Sequence, residues 1–384
     1  MDFAPTDEQR AITELAERIL TDLCAPETLR QVESGADWFH RDLWDALAAA
    51  GLLGICLPES VGGGGLGVVE ACLVLREAGR AVAPVPLWAT TTAAIALAEH
   101  GSDSQRSQWL PGVVDGSTIL TVALDELDSG PRDPQLVATA DGDGWILRGT
   151  KTNVAAAHLA AAVLVPARLD DGTSDDAIGI FIVPTDADGL SALRQDSFNH
   201  EPRAHLGLDG VRVDDGARLP GRAPASGSRD GRDVLDRVVD VATVGLCALA
   251  SGVAEGGTAR TAAYATERRQ FDRPIGSFQA VGHRLADCYI DEEAMRLTML
   301  QAASLLAVDP PADRAGADRA VAVAKYWASY GGRRVGHADL HVHGGISIDL
   351  DYPIHRYFLW AKQLELQLGA AAPQLARLGR LLAV

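Results

Sequence analysis

Apolar residues recur at helical spacing from Thr6 to about Leu110, so the first third of the chain reads as a series of amphipathic helices. Thr6 followed three residues later by Gln9 has the spacing of a capping box and marks the start of the first helix. From about Ser117 to Ala217 the texture changes. Short β-prone runs, Thr118 to Leu124, Trp145 to Leu147, Ala161 to Pro166 and Ile178 to Val183, stand between turns rich in glycine and aspartate and predict strands. A Gly/Arg/Asp/Pro-rich stretch from Leu219 to Arg232 reads as a linker. Long helical periods then return near Val234 to Glu267, Phe278 to Ala307, Arg314 to Leu340 and Pro353 to Leu382. The expected organisation is a helical domain over 1–117, a β domain over 118–218, a linker over 219–232 and a helical domain over 233–384. Helices on either side of a strand block are not the alternating βαβ order of a dinucleotide-binding sheet.

Charge narrows the partners. A formal net charge of -18 repels nucleic acid and anionic membrane surfaces, so neither is expected as a partner, and an anionic substrate needs a local basic site. Cys24, Cys56, Cys72, Cys247 and Cys288 are scattered without CxxC spacing, which predicts small core residues in a reducing compartment rather than a disulfide framework or zinc site. Met1 leads into a polar, acidic segment, and no uninterrupted apolar run reaches ~20 residues. A cytoplasmic protein without signal peptide or membrane span is expected.

Three segments carry candidate chemistry. The run VGGGGLG, Val61 to Gly67, formally contains GxGxxG but lies within the helical third, where it reads as a tight interhelical loop rather than a phosphate cradle. In TERRQFDRPIGSFQ, Thr266 to Gln279, Arg268 offers a rigid fork for a pyrophosphate, Phe271 a flat face for an aromatic ring, and Gln279 both donor and acceptor. On chemistry alone this is either a dinucleotide clamp or a solvated helix end followed by a turn. In HVHGGISIDLDYPIHR, His341 to Arg356, the Gly344–Gly345 pair allows backbone N–H groups to approach an anion. His341 and His343, at i and i+2, make a poor helical metal pair, and no metal site is expected.

Taken together, this α, β, α order, the RxxF(x)7Q pattern and the Gly-Gly turn before the last helix resemble the acyl-CoA dehydrogenase family along essentially the whole chain. The resemblance implies an α+β fold with an N-terminal helical domain, a middle β-barrel-like domain and a C-terminal four-helix bundle. It also implies FAD held between subunits, with Arg268, Phe271, Gln279, Gly344 and Gly345, and His341 where the family usually has Gln, serving the adenosine diphosphate end. The isoalloxazine side departs from the family pattern. In ALDELDSGPRD the flavin-contacting Thr/Ser position holds Asp125 and the later Ser/Thr-Asp is Pro131-Arg132; in KTNVAA the usual Trp-Ile-Thr reads Asn153-Val154-Ala155.

The family's catalytic Glu falls on Leu368, before Gly369, and its alternative position on Ala242. Neither side chain can accept a proton. Asp240 and Glu365 lie near these positions and are the candidates for a displaced base, at different helical phases. The implied protein is therefore a subunit that clamps FAD while a homologous catalytic partner supplies the base and most of the acyl-CoA site, as an α2β2 heterotetramer passing electrons to an external acceptor. The stretches QFDRPIGSFQAVGHRLADCYID and HVHGGISIDLDYPIHRYFLWAKQ look like the β-type subunits of actinobacterial steroid side-chain acyl-CoA dehydrogenases, implying α,β-dehydrogenation of a 3-oxo-cholest-4-en-26-oyl-CoA type thioester in sterol side-chain β-oxidation. A scaffold subunit without flavin and a flavin oxidase or monooxygenase of the same fold remain the alternatives.

Overall fold

The computed structural model describes residues 3–170, 177–220 and 231–383. The first third is helical as its periodicity predicts: α1 (Asp7–Leu23), α2 (Pro26–Ser34), α3 (Arg41–Ala49), α4 (Val68–Arg80), α5 (Leu87–His100) and α6 (Asp103–Val114). The Thr6 hydroxyl accepts the Gln9 N–H at 3.1 Å and the Gln9 side chain accepts the Thr6 N–H at 3.0 Å, which completes the expected capping box. The glycine run before α4 is an interhelical loop. Gly62 and Gly65 have φ of +86° and +68°, and a Cβ on Gly63 would stand 2.2 Å from the Leu57 carbonyl oxygen, so backbone crowding requires the glycines.

Among the described residues the middle of the chain forms seven strands: β1 (Leu120–Val122), β2 (Val137–Asp141), β3 (Gly144–Ala155), β4 (Ala162–Asp170), β5 (Ile178–Pro184), β6 (Leu190–Gln195) and β7 (Arg203–Asp214). They join in one sheet of order β1-β4-β2-β3-β7-β6, with β5 also paired to β4. β4 takes β1 along Ala162–Leu164 and β2 along Arg168–Asp170, both parallel, and β5 antiparallel. Trp145, Leu147, Val163, Val165, Phe181 and Leu206 fill the core of this sheet. Strands β2, β6 and β7 carry no β-prone apolar run in the sequence; β6 is almost wholly exposed and β7 only alternately buried. Most of the expected linker, 221–230, lies outside the described residues.

The last part comprises α7 (Gly231–Glu267), a two-residue-strand hairpin of β8 (Arg269–Gln270) and β9 (Arg273–Pro274), α8 (Gln279–Leu305), α9 (Arg314–His343), α10 (Ile354–Leu366) and α11 (Ala371–Leu382). The single helical period expected from Pro353 to Leu382 is thus two helices. The chain breaks at Leu368 and Gly369, whose φ values of +54° and +93° cannot continue a right-handed helix. Helix α7 is long and apolar enough to cross a membrane, but 94% of its most apolar window is buried within the protein, as for a core helix.

Two compact units result. One combines Met1–Ala36, Val68–Pro84 and Thr243–Val384; the other combines Asp37–Gly67 and Val85–Ala242. The helical first third therefore contributes to both. In the helical unit α4 crosses α7 at glycines: a Cβ on Gly79 would be 2.1 Å from the Leu249 carbonyl oxygen, and one on Gly252 1.8 Å from that of Arg76. In the strand unit α5 is tied to its neighbours by Trp88, whose indole N–H donates to the Ala242 carbonyl at 2.8 Å, and by Thr90, whose hydroxyl donates to that of Leu120 at 2.9 Å.

Candidate functional site

In the helical unit the residues expected to clamp a dinucleotide lie on two turns. Arg268 follows the last residue of α7, its N–H bonded to the Tyr264 carbonyl at 2.8 Å, and its exposed guanidinium has no hydrogen-bond or ionic partner among the described residues. The β8–β9 hairpin then turns through Phe271 and Asp272, with φ of +52° and +63°. Turns with two left-handed residues favour Asn-Gly, and a phenylalanine there is a costly choice. The Phe271 ring is 87% exposed and meets Phe278 edge-on at 6.1 Å. Gln279 opens α8, exposed, with its amide nitrogen 3.3 Å from His283 Nε2.

The second turn closes α9. Gly344, at φ +65° and ψ -139°, is the C-cap, and its N–H reaches the Leu340 carbonyl. This backbone conformation is nearly glycine-only. A Cβ added at Gly344 or Gly345 would meet nothing within 4 Å, so no packing within the chain demands a glycine at 345. His341 is exposed and His343 buried. The two turns are joined beneath by aromatic packing that motif reading does not single out: Tyr264 of α7 stacks on His343 of α9 at 4.4 Å, with Tyr352 edge-on to Tyr264 at 6.3 Å.

In the strand unit the stretches at Ala123 to Asp133 and Lys151 to Ala155 bond to each other. The Thr152 N–H donates to the Asp125 carbonyl at 2.9 Å, and the Asn153 amide donates to the Asp125 carboxylate at 2.9 Å. Asn153 has φ +56°, and its carbonyl accepts from Arg203 at 3.1 Å. Behind them Lys151, 1% exposed, pairs with Glu126 at 2.6 Å. Burial would raise the Glu126 pKa, but the Lys151 ammonium and the N–H groups of Gln135 and Leu136 outweigh it and hold the carboxyl below its ordinary value. Arg132, at the Ser/Thr-Asp position of the resemblance, pairs with Asp236 at 2.7 Å and with Asp240 at 2.5 Å.

These contacts decide what the two candidate bases face. Asp240 is fully buried with its carboxylate engaged by Arg132. Glu365, 9% exposed near the end of α10, accepts from Lys362 at 2.6 Å. Leu368, 5% exposed, fills the break between α10 and α11, and its carbonyl accepts from the Gln374 amide at 3.1 Å. A feature with no sequence signal supports this break: Lys325 of α9, fully buried, sends its ammonium to the carbonyls of Leu364 at 2.8 Å and Glu365 at 3.2 Å, capping the end of α10. Ala242 is also fully buried.

Family models for the N-terminal, middle and C-terminal domains of acyl-CoA dehydrogenases match residues 6–117, 125–211 and 229–383. The chain belongs to the acyl-CoA dehydrogenase family. The resemblance drawn from its motifs holds at family level, as does the expected fold of helical, strand and helical-bundle parts. This acyl-CoA dehydrogenase chain is 42% identical to acyl-CoA dehydrogenase FadE27 of Mycobacterium tuberculosis over 388 residues, covering 100% of this chain and 99% of that protein. It superposes on the Tcur3481-Tcur3483 steroid ACAD with a TM-score of 0.89 at 46% identity, covering 98% of each chain. It also superposes on the ChsE4-ChsE5 complex from Mycobacterium tuberculosis with a TM-score of 0.90 at 41% identity, covering 100% of this chain and 99% of the other.

Proposed function

We propose that this chain is the flavin-clamping, base-lacking subunit of a heteromeric acyl-CoA dehydrogenase that forms the α,β-double bond in CoA thioesters of steroid side chains. The observation that carries the reading is the contrast at the two family positions: an Arg268 guanidinium without a partner among the described residues, beside open glycine and phenylalanine turns, against an apolar Leu368 where a base is required. Relatives bearing the names of a two-component complex and a steroid ACAD support the heteromer and the substrate class.

The helical unit fits the adenosine diphosphate end of FAD. Arg268 would pair with the pyrophosphate, Phe271 would present a ring face, Gln279 and His341 would hydrogen-bond, and the space left by Gly344 and Gly345 would let the anion approach the backbone at Gly345, the Gly344 N–H being held by Leu340. FAD, when bound, accepts the hydride removed from the β-carbon. In the strand unit Asp125 and Asn153 bond to one another, and the aromatic and hydroxyl groups of the family pattern are missing. That half does not fit an isoalloxazine, and we assign the ring, the base and most of the acyl-CoA site to the partner, in an α2β2 assembly that hands electrons to an external acceptor.

The test is steady-state dehydrogenation of a 3-oxo-cholest-4-en-26-oyl-CoA type thioester. Turnover that needs both co-purified chains is expected. Turnover by this chain alone would overturn the division of labour, and a complex whose flavin content and turnover are both unchanged by Arg268→Ala would make the chain a scaffold.

A further inference from the structure

We propose that Asp339 is a positioning residue, held in the folded helical unit as a neutral carboxylic acid whose proton ties the α9 turn bearing Gly344 and Gly345 to the end of α7 bearing Arg268. Its bearing on flavin rests on the clamp reading above; its protonation does not.

The hydroxyl between the two helices has one proton for two contacts. Thr261 of α7 has its hydroxyl oxygen 2.8 Å from the Gly257 carbonyl oxygen and 2.8 Å from Asp339 Oδ1. A hydroxyl donates one hydrogen, and a carbonyl only accepts. Were Asp339 ionised, two acceptors would compete for that hydrogen and one contact would set oxygen against oxygen with nothing between. A protonated Oδ1 completes the chain: Asp339 donates to Thr261, and Thr261 donates to Gly257.

The surroundings agree. Asp339 is 2% exposed and its Oδ2 has no hydrogen-bond partner. The α7 backbone presses on that oxygen, since a Cβ on Gly257 would lie 2.3 Å from it. Among the described residues no cation pairs with Asp339. Helix α8 presents Glu292 and Cys288 to it, and α7 presents Thr261. From α10 Tyr357 packs at Gly257, its hydroxyl accepting from Arg260 of α7 at 2.8 Å. On its own helix His343 donates Nδ1–H to the Asp339 carbonyl at 2.8 Å, and burial lowers the pKa of that imidazole. Burial, opposed by the Thr261 hydrogen bond and reinforced by the charge of Glu292, pushes the Asp339 carboxyl up to about 7. Because the folded pKa lies above the ordinary 3.8, the stabilisation is complete at low pH and is lost as pH rises to about 7.

Position gives this proton a purpose. His343 stacks on Tyr264, whose carbonyl holds the Arg268 N–H, and His343 immediately precedes Gly344. Loosening the Asp339–Thr261 joint therefore leaves the two turns to be held by the Tyr264–His343 stacking and its Tyr352 neighbour.

The test uses the co-purified complex carrying wild-type chain, Asp339→Asn or, as a control that keeps the hydroxyl, Thr261→Ser. Infrared difference spectra at pH 6 should show a protonated-carboxyl C=O band that is lost in Asp339→Asn. Flavin retention by wild type should weaken above pH 7, by up to about tenfold per pH unit, the limit for one proton. Asp339→Asn, whose amide still donates to Thr261, should hold flavin with a flat profile across the same range. An infrared difference that lacks the band, or an Asp339→Asn profile identical to wild type, overturns the proposal. If Arg268→Ala leaves flavin content unchanged while the band is present, the clamp reading fails and the protonated Asp339 stands.

Discussion

The turns at Arg268–Gln279 and Gly344–Gly345 hold their polar and aromatic groups out toward solvent, whereas the strand stretches around Asp125 and Asn153 have engaged theirs with each other. Among the described residues Arg268 has no partner, and Phe271 is 87% exposed; Asp125, Asn153, Glu126 and Lys151 are all bonded within the chain. A left-handed phenylalanine costs stability, and its edge-on contact with Phe278 leaves the ring almost wholly exposed. An internally satisfied polar cluster needs no ligand to be stable. One region is thus shaped for something outside the chain, and the other has closed on itself.

The largest predicted effect breaks the closed region. Lys151→Met strands Glu126 without its cation, and should lower folding stability by about 3–5 kcal/mol. Denaturant unfolding measures it, and a loss under ~1 kcal/mol would show that the pair is not the anchor of that cluster.

Next comes the open region. Arg268→Ala should weaken flavin binding by the complex by about 1.5–3 kcal/mol, roughly ten- to a hundredfold, since a charge-assisted fork is lost. Arg268→Lys should recover part of this, because a point charge cannot pair bidentately. Equal flavin content in both variants would remove Arg268 from the site.

Leu368→Glu restores the residue type of the family base at a position that is buried. It should destabilise the chain by about 1–3 kcal/mol and leave the chain alone inactive, because a buried carboxylate loses hydration or takes up a proton. Activity in the isolated variant would mean that the closed region still accepts flavin. The smallest effects are expected at the candidate bases. Asp240→Asn and Glu365→Gln should leave turnover of the complex within about a fewfold of wild type at equal flavin loading, against the ~10²–10⁴-fold loss typical of removing a general base.

Legibility in the sequence followed the same division. Helices with clear apolar periods and the four richest strand runs could be read directly, and the turns at Arg268–Gln279 and Gly344–Gly345 could be located, because a glycine pair and the Arg, Phe and Gln spacing leave local signals. Strands β6 and β7 could not be read that way, since β6 is almost wholly exposed and pairs with β7, and β7 takes its place in the sheet through long-range pairing with β3. The break at Leu368 also escaped, because a left-handed leucine has no sequence mark and is supported by Lys325, more than forty positions away. The contacts of Arg132 with Asp240 and of Asp339 with Thr261 were hidden for the same reason. Spacing along one helix says nothing about the residue met on another.

The most direct test of the division is the ratio of FAD to protein, measured on this chain purified alone and on the chain purified with its catalytic partner. The account predicts little or no FAD on the isolated chain and one FAD per heterodimer in the complex. Stoichiometric FAD on the isolated chain, or two per heterodimer, would contradict it.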